Sequence, residues 1–547
     1  MPLTAIEDLS FAYGLNHYLL DRPLRDVLRY HLGREPDLEG LGSYAGREVY
    51  ELAYRVDRLS QPLLVTWGAG GERVDRVWLD PMERRVLEDL AYRYGVNGMP
   101  FRDGGWHGFY ASINLLGDPG LSCIVTITVQ TAYALWKYGG EGLRGYFEGL
   151  AGFRKPLMIG ATWFTEIQGG SDLGANTTTA VRGGDGVWRL TGYKYFASGA
   201  GLADVALVSA RPRGGRPGAK GLALFAVPRV RRGGGLNYYV RRLKDKSGTI
   251  AVPTGEVELA DSEAFLVGDL DKGIYYILED LMVSRLANSA GAVGIARKAY
   301  LEAYGFARVR RAFGRRIIEH PLVRRDLLEM EVLVEESLAL THKAVSLFEA
   351  SAGDRPPYSR TYHYARLLTH IAKNMTAQAA ARVTMLAMEL FGGIGFLREF
   401  PVERWHREAL ITPIWEGTSN IQALDMLEAL WRKRAYEPLL EDLRGMEAEA
   451  YDRGLAGRAR SYAEARLREA ASMSPREAEF NAKYLLEDLG HSIAVVLLEH
   501  MASRLGEERY HRVAEIVYGS LLQRRPITNP GDGVVDEVIT LSGSLEA

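Results

Sequence analysis

The stretch from 277 to 311 keeps a helical period of apolar residues for several turns without a proline. A helix of that length buries its apolar surface only against neighbouring elements, so it constrains the fold strongly. Similar patterns predict helices from about 321 to 350, from about 362 to 391 and after Glu416, and a proline opens the first of these. Four long helices predict a helical bundle.

Between about 160 and 265 the apolar residues alternate with a period of two, which is typical of half-buried strands. The alternating runs are short and are separated by Gly, Pro and Asp. They are VWRLTGYKYFAS, DVALVSARP, GLALFAVPRV, LNYYVRR and TGEVELA. This part of the chain is therefore predicted to be an antiparallel β domain.

The remaining segments have helical patterns, and a chain of 547 residues has room for several cores. Short helices are predicted in the first 45 residues, and the apolar run LSCIVTITVQTAYALW predicts a buried helix, with a strand as the alternative. The predicted organisation is an N-terminal extension at 1–45, a helical domain at 46–159, a β domain at 160–268, a four-helix bundle at 269–430 and a helical C-terminal extension at 431–547.

The charge balance gives the protein no strong overall field, since 67 Lys+Arg against 69 Asp+Glu leave a formal net charge of -2. It does not favour nucleic acid or an anionic membrane as a partner. The single cysteine, Cys123, excludes an internal disulfide and a cysteine-based metal cluster. The N-terminal sequence lacks the order of a secretory signal, and no apolar run approaches the ~18 residues that span a bilayer. We expect a cytoplasmic protein with no membrane partner.

A glycine cluster, Gly392, Gly393 and Gly395, follows the third predicted helix. A Rossmann fingerprint needs its glycines after a strand and before a helix, so that interpretation fails. Glycines at this place let a diphosphate approach the backbone, and they also commonly do no more than end a helix. The residues alone leave both interpretations open.

A single carboxylate, Glu416, lies on the loop before the fourth helix, beside Trp415. Ser419 and Gln422 match a capping box, which predicts Ser419 as the N-cap of that helix. An apolar loop position suits a general base. An ordinary loop glutamate is the simpler interpretation of the local sequence.

Two further segments are rich in polar groups. The loop at 165–172, TEIQGGSD, could bind a heterocycle or a phosphate, although a tight turn explains most of its composition. The pair Phe313-Gly314 is surrounded by Arg308, Arg310, Arg311, Arg315 and Arg316. These arginines indicate either a solvated helix face or a phosphate partner.

Other common chemistries find no support in the sequence. His363 and His370 are seven residues apart and have no third ligand at a suitable spacing, so no metal site is predicted. The chain has neither a G-x-S-x-G elbow nor a Walker loop, so it offers no motif for a serine hydrolase or a nucleotide triphosphatase.

Taken together, the segments at 165–172, 310–314 and 389–422 resemble the acyl-CoA dehydrogenase flavoprotein family. In order, they match a T-E-x-x-x-G-S-D loop, an R-x-x-F-G turn, a helix ending in G-G-x-G and an E-G-T-S segment. The match covers residues from about 100 to 430. The resemblance implies an α+β fold with an N-terminal helical domain, a β-barrel and a four-helix bundle, and it implies FAD as the cofactor.

The resemblance also implies roles for individual residues. Glu416 matches the base that removes the α-proton of an acyl-CoA thioester. The residues implied to hold FAD are Thr165, Ser171, Phe196, Ser198, Arg310, Phe313, Glu389, Gly392, Gly393, Thr418 and Asn420. Arg310 and Phe313 would reach the FAD of a neighbouring subunit, so a homo-oligomer, expected to be a tetramer, is implied. An electron-transfer flavoprotein is the expected electron acceptor.

Two departures from the family pattern bear on the chemistry. Some members carry their base on the bundle helix before an arginine, but this chain has Ser284 before Arg285, which leaves Glu416 as the candidate. Trp415 stands where the family commonly has tyrosine, and its larger ring would narrow the acyl pocket. The resemblance thus implies α,β-dehydrogenation of short or branched acyl-CoA thioesters.

Within the family, RLKDKSGTIAVPTGEVEL, GGIGF and IWEGTSN resemble the branch linked to the adaptive response to alkylation damage. That branch implies an alternative function, a flavin-containing DNA-binding protein with weak dehydrogenase activity. DNA binding needs a basic surface. Residues 431–547 carry 16 Lys+Arg against 20 Asp+Glu, which disfavours this tail as a DNA clamp, although 432–434 and 524–525 are basic. An acyl-CoA oxidase, which passes electrons to oxygen, shares every motif and is a third possibility.

Overall fold

The computed structural model describes residues 6–102, 105–523 and 531–540. The chain divides into two compact units. The first unit comprises Met1–Glu51, Trp106–Gly117 and Arg285–Ala547, and the second comprises Leu52–Gly105 and Asp118–Ser284. The N-terminal and C-terminal segments therefore belong to the same unit as the long helices.

Helices dominate the described residues. They are α1 (Ile6–Leu9), α2 (His17–Leu20), α3 (Arg22–Leu32), α4 (Glu39–Tyr44), α5 (Tyr50–Arg58), α6 (Pro81–Tyr92), α7 (Gly105–Leu116), α8 (Pro119–Tyr138), α9 (Arg144–Leu150), α10 (Gly273–Val309), α11 (Pro321–Ser351), α12 (Arg360–Phe391), α13 (Pro401–Ala409), α14 (Ser419–Leu427), α15 (Tyr436–Ala448), α16 (Arg453–Ser472), α17 (Pro475–Leu505), α18 (Glu508–Ile516) and α19 (Asp532–Ile539).

The strands form one sheet and two small hairpins. They are β1 (Leu63–Trp67), β2 (Arg73–Trp78), β3 (Gly160–Trp163), β4 (Thr179–Arg182), β5 (Trp188–Ser198), β6 (Val205–Pro212), β7 (Ala223–Pro228), β8 (Tyr239–Leu243), β9 (Thr254–Leu266), β10 (Arg311–Ala312) and β11 (Arg315–Arg316). β1 pairs with β2, and β10 pairs with β11.

The second unit is built on a seven-stranded sheet in the order β3-β6-β4-β5-β9-β7, with β8 on β9. A further pairing of β6 with β7 closes part of it into a barrel-like shape. The prediction of a β domain is confirmed. β3 and β4 each pair with β6 in parallel, whereas the other pairs are antiparallel, and the alternating pattern carries no information on strand direction.

The run LSCIVTITVQTAYALW forms α8, so the helical interpretation is confirmed and the strand alternative is wrong. Asp118 caps the helix by accepting a hydrogen bond from the Leu121 N–H, and Pro119 lies in the first turn. α8 packs on β3, where Gly160 permits the contact: a Cβ there would lie 2.6 Å from the Cβ of Thr131. The length of the apolar run decides between helix and strand here.

The predicted long helices α10, α11 and α12 are confirmed: α11, α12 and the part of α10 from Arg285 onward belong to the first unit, and α11 packs along α12. The fourth helix, α14, spans nine residues and continues as a π-helical turn, Glu428–Arg432. It is therefore shorter than the other three. The short helices α1 to α4 confirm the prediction for the first 45 residues.

A buried charge network joins the chain termini to the bundle. Arg297 on α10 donates to Asp21 at 3.2 Å and to Glu331 on α11. Arg509 on α18 donates to Glu331 at 3.2 Å and to Glu335. Removing one member would leave a buried charge without its partner, which typically costs about 3–5 kcal/mol.

Among the described residues, the stretch Arg360–Phe396 is long and apolar enough to cross a membrane by length and composition alone. The expectation that no apolar run approaches the length needed to span a bilayer therefore does not hold for this stretch. A core helix of a soluble protein passes the same test. This stretch contains α12, which packs on α11 and buries both His370 and Lys373.

Candidate active site

The loop after α13 contains a strained two-residue turn, Glu416-Gly417. Glu416 has a φ of +58° and Gly417 a φ of +94°. A residue other than glycine in the left-handed region costs roughly 1–3 kcal/mol, and such strain persists only where the surroundings hold it. The turn orients the Glu416 side chain and backbone together.

Three buried side chains hold the two carbonyl groups of this turn. The Nε of Arg285 donates to the Glu416 carbonyl at 3.0 Å. The Nζ of Lys373 donates to the Gly417 carbonyl at 2.7 Å, and the Nε2 of Gln422 donates to both carbonyls at 2.9 Å. These donors come from α10, α12 and α14, so three helices fix the conformation of Glu416. We call Arg285, Lys373 and Gln422 the carbonyl clamp.

The role of Gln422 overturns the predicted capping box. The N-cap of α14 is Thr418 and not Ser419, and Thr418 makes no side-chain capping hydrogen bond. The Gln422 amide is used by the carbonyl clamp, and its Oε1 lies 2.8 Å from the Nδ1 of His370. Because Gln422 donates through Nε2, its Oε1 accepts, and His370 must carry its proton on Nδ1.

Burial controls the charges around the turn. Desolvation lowers the pKa of His370 to about 3, so this imidazole is neutral. Desolvation also lowers the pKa of Lys373 to about 7, while attraction to Glu416 raises it and repulsion by Arg285 lowers it further. Arg285 is balanced by Asp425, whose carboxylate lies 3.3 Å away.

Trp415 precedes the base candidate and is fixed by a hydrogen bond. Its indole N–H donates to the Oδ1 of Asn288 on α10. A buried asparagine thus sets the orientation of the ring. The structure gives Trp415 a fixed position directly beside Glu416.

The glycine cluster serves two purposes. Gly392 ends α12 with a φ of +65°, and its N–H donates to the Glu389 carbonyl. A Cβ added at Gly392 or Gly393 would meet nothing within 4 Å, so a ligand can approach the backbone there. Gly395 differs, because a Cβ there would lie 2.5 Å from the Met388 carbonyl oxygen. Helix termination and an open backbone are therefore both present.

Three other predicted cofactor residues in the first unit are accessible. Thr418, Asn420 and Glu389 are exposed, the first two at the start of α14 and the third in the last turn of α12. Their hydroxyl, amide and carboxylate groups lie in the same unit as Glu416.

Phe313 and Gly314 form the two-residue turn of the β10–β11 hairpin, with φ values of +50° and +84°. Phe313 is 95% exposed, and Arg310 before it is exposed as well. The interpretation of these arginines as a solvated helix face is wrong for those after Arg308, because α10 ends at Val309. They lie instead on a projecting hairpin.

In the second unit, the structure brings three of the predicted cofactor residues together. The Tyr195 N–H donates to the Thr165 carbonyl at 3.0 Å, and the indole of Trp163 donates to the Ser198 carbonyl at 2.9 Å. These bonds place the segment after β3 against β5, which also carries Phe196. The Phe196 ring is 54% exposed.

The loop at 165–172 is also a tight turn, in which Glu166 and Gly169 exchange backbone hydrogen bonds. The Glu166 carboxylate accepts from the Thr177 N–H at 2.7 Å and from the Lys194 Nζ at 2.8 Å. These partners outweigh its desolvation and hold the pKa of Glu166 at about 2. Glu166 thus anchors the loop, while Ser171 is exposed on it.

The residues present fit FAD. The open backbone at Gly392 and Gly393 suits a diphosphate, and the exposed Phe196 ring suits a flat heterocycle. Of the predicted cofactor residues, Thr165, Ser171, Phe196 and Ser198 belong to the second unit, and the others belong to the first unit. Among the described residues, no group of three or more His, Cys, Asp or Glu could hold a metal ion.

The carbonyl clamp was missed from the sequence. The sequence gives only a weak indication of it: Lys373 is one of few lysines in the chain, and between Arg366 and Arg382 it is the one Lys, Arg, Asp or Glu residue of a predicted core helix. A charged residue at such a place is rarely buried without a specific partner. The partner is a backbone carbonyl, which no side-chain motif reveals.

Two short basic clusters, at 432–434 and 524–525, are the candidates for DNA binding in the C-terminal extension. In the cluster at 432–434, Arg434 is paired with Glu437. Arg524 and Arg525 lie outside the described residues. No feature of the described residues adds to the DNA-binding alternative.

Comparisons with known proteins show which family the chain belongs to. The acyl-CoA dehydrogenase C-terminal domain matches residues 271–431, and the middle domain of that family matches 161–262. AidB of Escherichia coli (strain K12) is 31% identical over 454 residues, which cover 78% of this chain and 80% of AidB. The short-chain specific acyl-CoA dehydrogenase of Clostridium acetobutylicum is 30% identical, covering 65% of this chain and 92% of that protein.

Solved structures show the same fold. The structure of Caenorhabditis elegans ACDH-11 in complex with C11-CoA has a TM-score of 0.82 and 26% identity, and covers 97% of this chain and 94% of that chain. The predicted fold class is thereby confirmed, as is the family inferred from the motifs. The chain belongs to the acyl-CoA dehydrogenase family of FAD-dependent oxidoreductases that act on acyl-CoA.

Proposed function

We propose that this protein catalyses the α,β-dehydrogenation of short or branched acyl-CoA thioesters, with Glu416 as the base. The observation that carries the proposal is the strained Glu416-Gly417 turn, which the carbonyl clamp fixes through buried donors on three helices. Such strain is retained where geometry matters for chemistry. Trp415, fixed by Asn288, supports a narrow pocket.

Glu416 would take the α-proton of the thioester into its carboxylate. That proton is far less acidic than a carboxylic acid, so the thioester carbonyl needs a hydrogen-bond donor as negative charge develops on it. The Glu416 backbone N–H is the proposed donor from this chain. A fixed turn orients the carboxylate and this N–H at once, which lowers the entropic cost of reaching the reactive geometry.

FAD, when bound, accepts the hydride that leaves the β-carbon. We assign its diphosphate to Gly392 and Gly393 and its ring system to Phe196. The other residues proposed to hold it are Thr165, Ser171, Ser198, Glu389, Thr418 and Asn420, with Arg310 and Phe313 acting across a subunit interface. The proposed assembly is a homotetramer, and the proposed electron acceptor is an electron-transfer flavoprotein.

The test is the variant Glu416→Gln, which keeps the size of the side chain and removes the base. We expect the purified variant to remain yellow and to fold normally. Flavin reduction in anaerobic stopped-flow experiments should slow by about 10²–10⁴-fold with each acyl-CoA that bleaches the wild type. The panel should include butyryl-CoA, isovaleryl-CoA and one long chain, because a relative binds C11-CoA.

The matched control is Glu88→Gln on α6, where an exposed carboxylate lies 3.5 Å from Arg84. An exposed pair of this kind contributes little, so this variant should bleach as the wild type does. Equal bleaching by Glu416→Gln and Glu88→Gln would remove Glu416 from the mechanism. Bleaching by the long chain alone would overturn the proposed substrate class.

A further inference from the structure

Lys373 is a fully buried lysine in the middle of α12. Its Nζ lies 2.7 Å from the carbonyl oxygen of Gly417, which belongs to the peptide group between Gly417 and Thr418, one peptide group beyond the one that follows Glu416. Burying an ammonium group is costly unless a specific partner compensates it. An apolar residue would fill this place in the core at a lower cost, so packing alone does not explain a lysine here.

The three members of the carbonyl clamp are not equivalent. Glu416 offers its carbonyl to two donors, Arg285 and Gln422, and Gly417 offers its carbonyl to Lys373 and Gln422. Gln422 is neutral, and Arg285 is partly committed to Asp425. Lys373 therefore supplies the charged donor at the Gly417 carbonyl.

We propose that Lys373 is a positioning residue, whose amine holds the Gly417 carbonyl and so keeps Glu416 in the left-handed conformation used in the reaction. This inference rests on the proposed role of Glu416 as the base. Lys373 itself touches neither substrate nor cofactor in this scheme. It acts through the backbone of the turn.

The charged and titratable groups that face Lys373 define its pH response. Glu416 attracts the ammonium form, Arg285 on α10 repels it, and His370, one turn earlier on α12, is neutral. Burial brings the pKa of Lys373 to about 7. A charge-assisted hydrogen bond is roughly twice as strong as a neutral one, so the hold on the turn weakens as the pH rises through this range.

The first experiment needs no substrate. The FAD-loaded variant Lys373→Met, close to isosteric with lysine, is crystallised beside the wild type, and the φ of Glu416 is measured. We expect the Gly417 carbonyl to rotate away and Glu416 to leave the region near +58° found here. An unchanged φ at Glu416 with an unmoved Gly417 carbonyl would overturn the proposal, whatever the activity is.

The second experiment measures kinetics with butyryl-CoA and isovaleryl-CoA. We expect Lys373→Met to lower kcat by at least 10-fold with little change in KM. We also expect the activity of the wild type to fall above about pH 7 and that of Lys373→Met to show no such fall. The control Lys343→Met removes a half-buried lysine on α11 that pairs with Asp442 at 2.7 Å. It should keep the wild-type pH profile, and the same profile in both variants would contradict the proposal.

The two experiments separate the two proposals. If no acyl-CoA reduces the wild-type flavin, the proposed function fails, while the crystallographic result still decides the role of Lys373. If Lys373→Met does not fold, hydrogen exchange of the peptide 411–424 in the wild-type holoenzyme replaces it. After correction for intrinsic rates, we expect the protection of this peptide relative to that of α11 to be greater at pH 6 than at pH 9, and an equal ratio at the two pH values would overturn the inference.

Discussion

Two turns in the first unit have nearly the same backbone and opposite surroundings. Glu416-Gly417 has φ values of +58° and +94°, and Phe313-Gly314 has φ values of +50° and +84°. In each, a residue that disfavours the left-handed region is followed by a glycine that tolerates it. The difference between the two lies in what holds the strain.

We call Glu416-Gly417 the inner turn and Phe313-Gly314 the outer turn. The inner turn is stabilised by buried side chains, because the carbonyl clamp donates hydrogen bonds to both of its carbonyl groups. The outer turn has weaker local support: Arg311 donates to the Gly314 carbonyl at 3.2 Å, and Phe313 is 95% exposed. Strain that the subunit itself supports fits chemistry carried out within that subunit. Strain on an exposed aromatic fits the proposed contact with the FAD of a neighbouring subunit.

The largest effect is expected from Gly417→Ala in the inner turn. A Cβ at this position would lie 2.8 Å from the Nε2 of Gln422. The alanine would also have to adopt the φ of +94° that Gly417 has in this turn. The side-chain amide of Gln422 must therefore move, and we expect Glu416, whose carbonyl accepts a hydrogen bond from it, to move as well. We expect flavin reduction to slow by about 100-fold, since a displacement of about 1 Å at a reacting group has that effect.

Stopped-flow flavin reduction with butyryl-CoA measures this effect, and the absorbance of bound flavin controls for cofactor loss. A near-normal rate with a fully loaded variant would show that the inner turn tolerates movement. The hydrogen bonds of the carbonyl clamp would then have no measurable effect on the rate of flavin reduction.

The second prediction concerns the pH dependence of the inner turn. The pKa of Lys373 is about 7 in the folded protein and about 10.5 when unfolded, so the folded state binds fewer protons between these values. The free energy of unfolding therefore rises with pH across that window, by up to about 1.4 kcal/mol per unit. Below pH 7 the cost of burying the charged amine is fully present.

Chemical denaturation of the wild type and of Lys373→Met at pH 7, 8 and 9 tests this sign. The wild type should gain about 2 kcal/mol relative to the variant between pH 7 and pH 9. Parallel stability curves for the two proteins would mean that Lys373 does not titrate in this window. The outer turn has no such buried amine among its described contacts, so Gly314→Ala should not alter the slope.

Most of the fold was predictable because it depends on the period of apolar residues. The bounds of α11 and α12 agree with the predicted 321–350 and 362–391 to within two residues. The parallel pairing of β3 and β4 with β6 was not predictable, since alternation looks the same in both directions. The short α14 could not be distinguished from a long helix, because its apolar period continues beyond its end.

The sequence predicts the site residues whose role depends on their type and their place in a motif. It does not predict the residues whose role depends on a contact with a distant part of the chain. Glu416 and Gly392 stand out by type and by position in a motif. The sequence signal at Ser419 and Gln422 predicted a cap, but the Gln422 amide has better partners in two strained carbonyls. Lys373 acts on a backbone atom 44 positions away, and a sequence pattern contains no information on such a contact.

The third prediction tests the outer turn through Phe313→Ala. The ring is almost fully exposed, so the unfolding free energy of an isolated subunit should change by no more than about 0.5 kcal/mol. FAD retention should fall by about 10-fold if the ring packs on a cofactor in the assembled protein. Fluorescence titration of the apoprotein with FAD measures this, and unchanged affinity would remove Phe313 from the cofactor site.

The smallest effect is expected from Gly314→Ala, the matched partner of Gly417→Ala. Both glycines have a strongly positive φ, but a Cβ at Gly314 meets nothing within 4 Å. Only the backbone strain of alanine remains, which costs about 1 kcal/mol, and flavin reduction should stay near the wild-type rate because Glu416 does not move. Chemical denaturation and stopped-flow reduction of the two alanine variants, side by side, separate strain from displacement. If both variants lost activity equally, backbone strain alone would explain the inner turn, and the carbonyl clamp would have no separate role in placing the base.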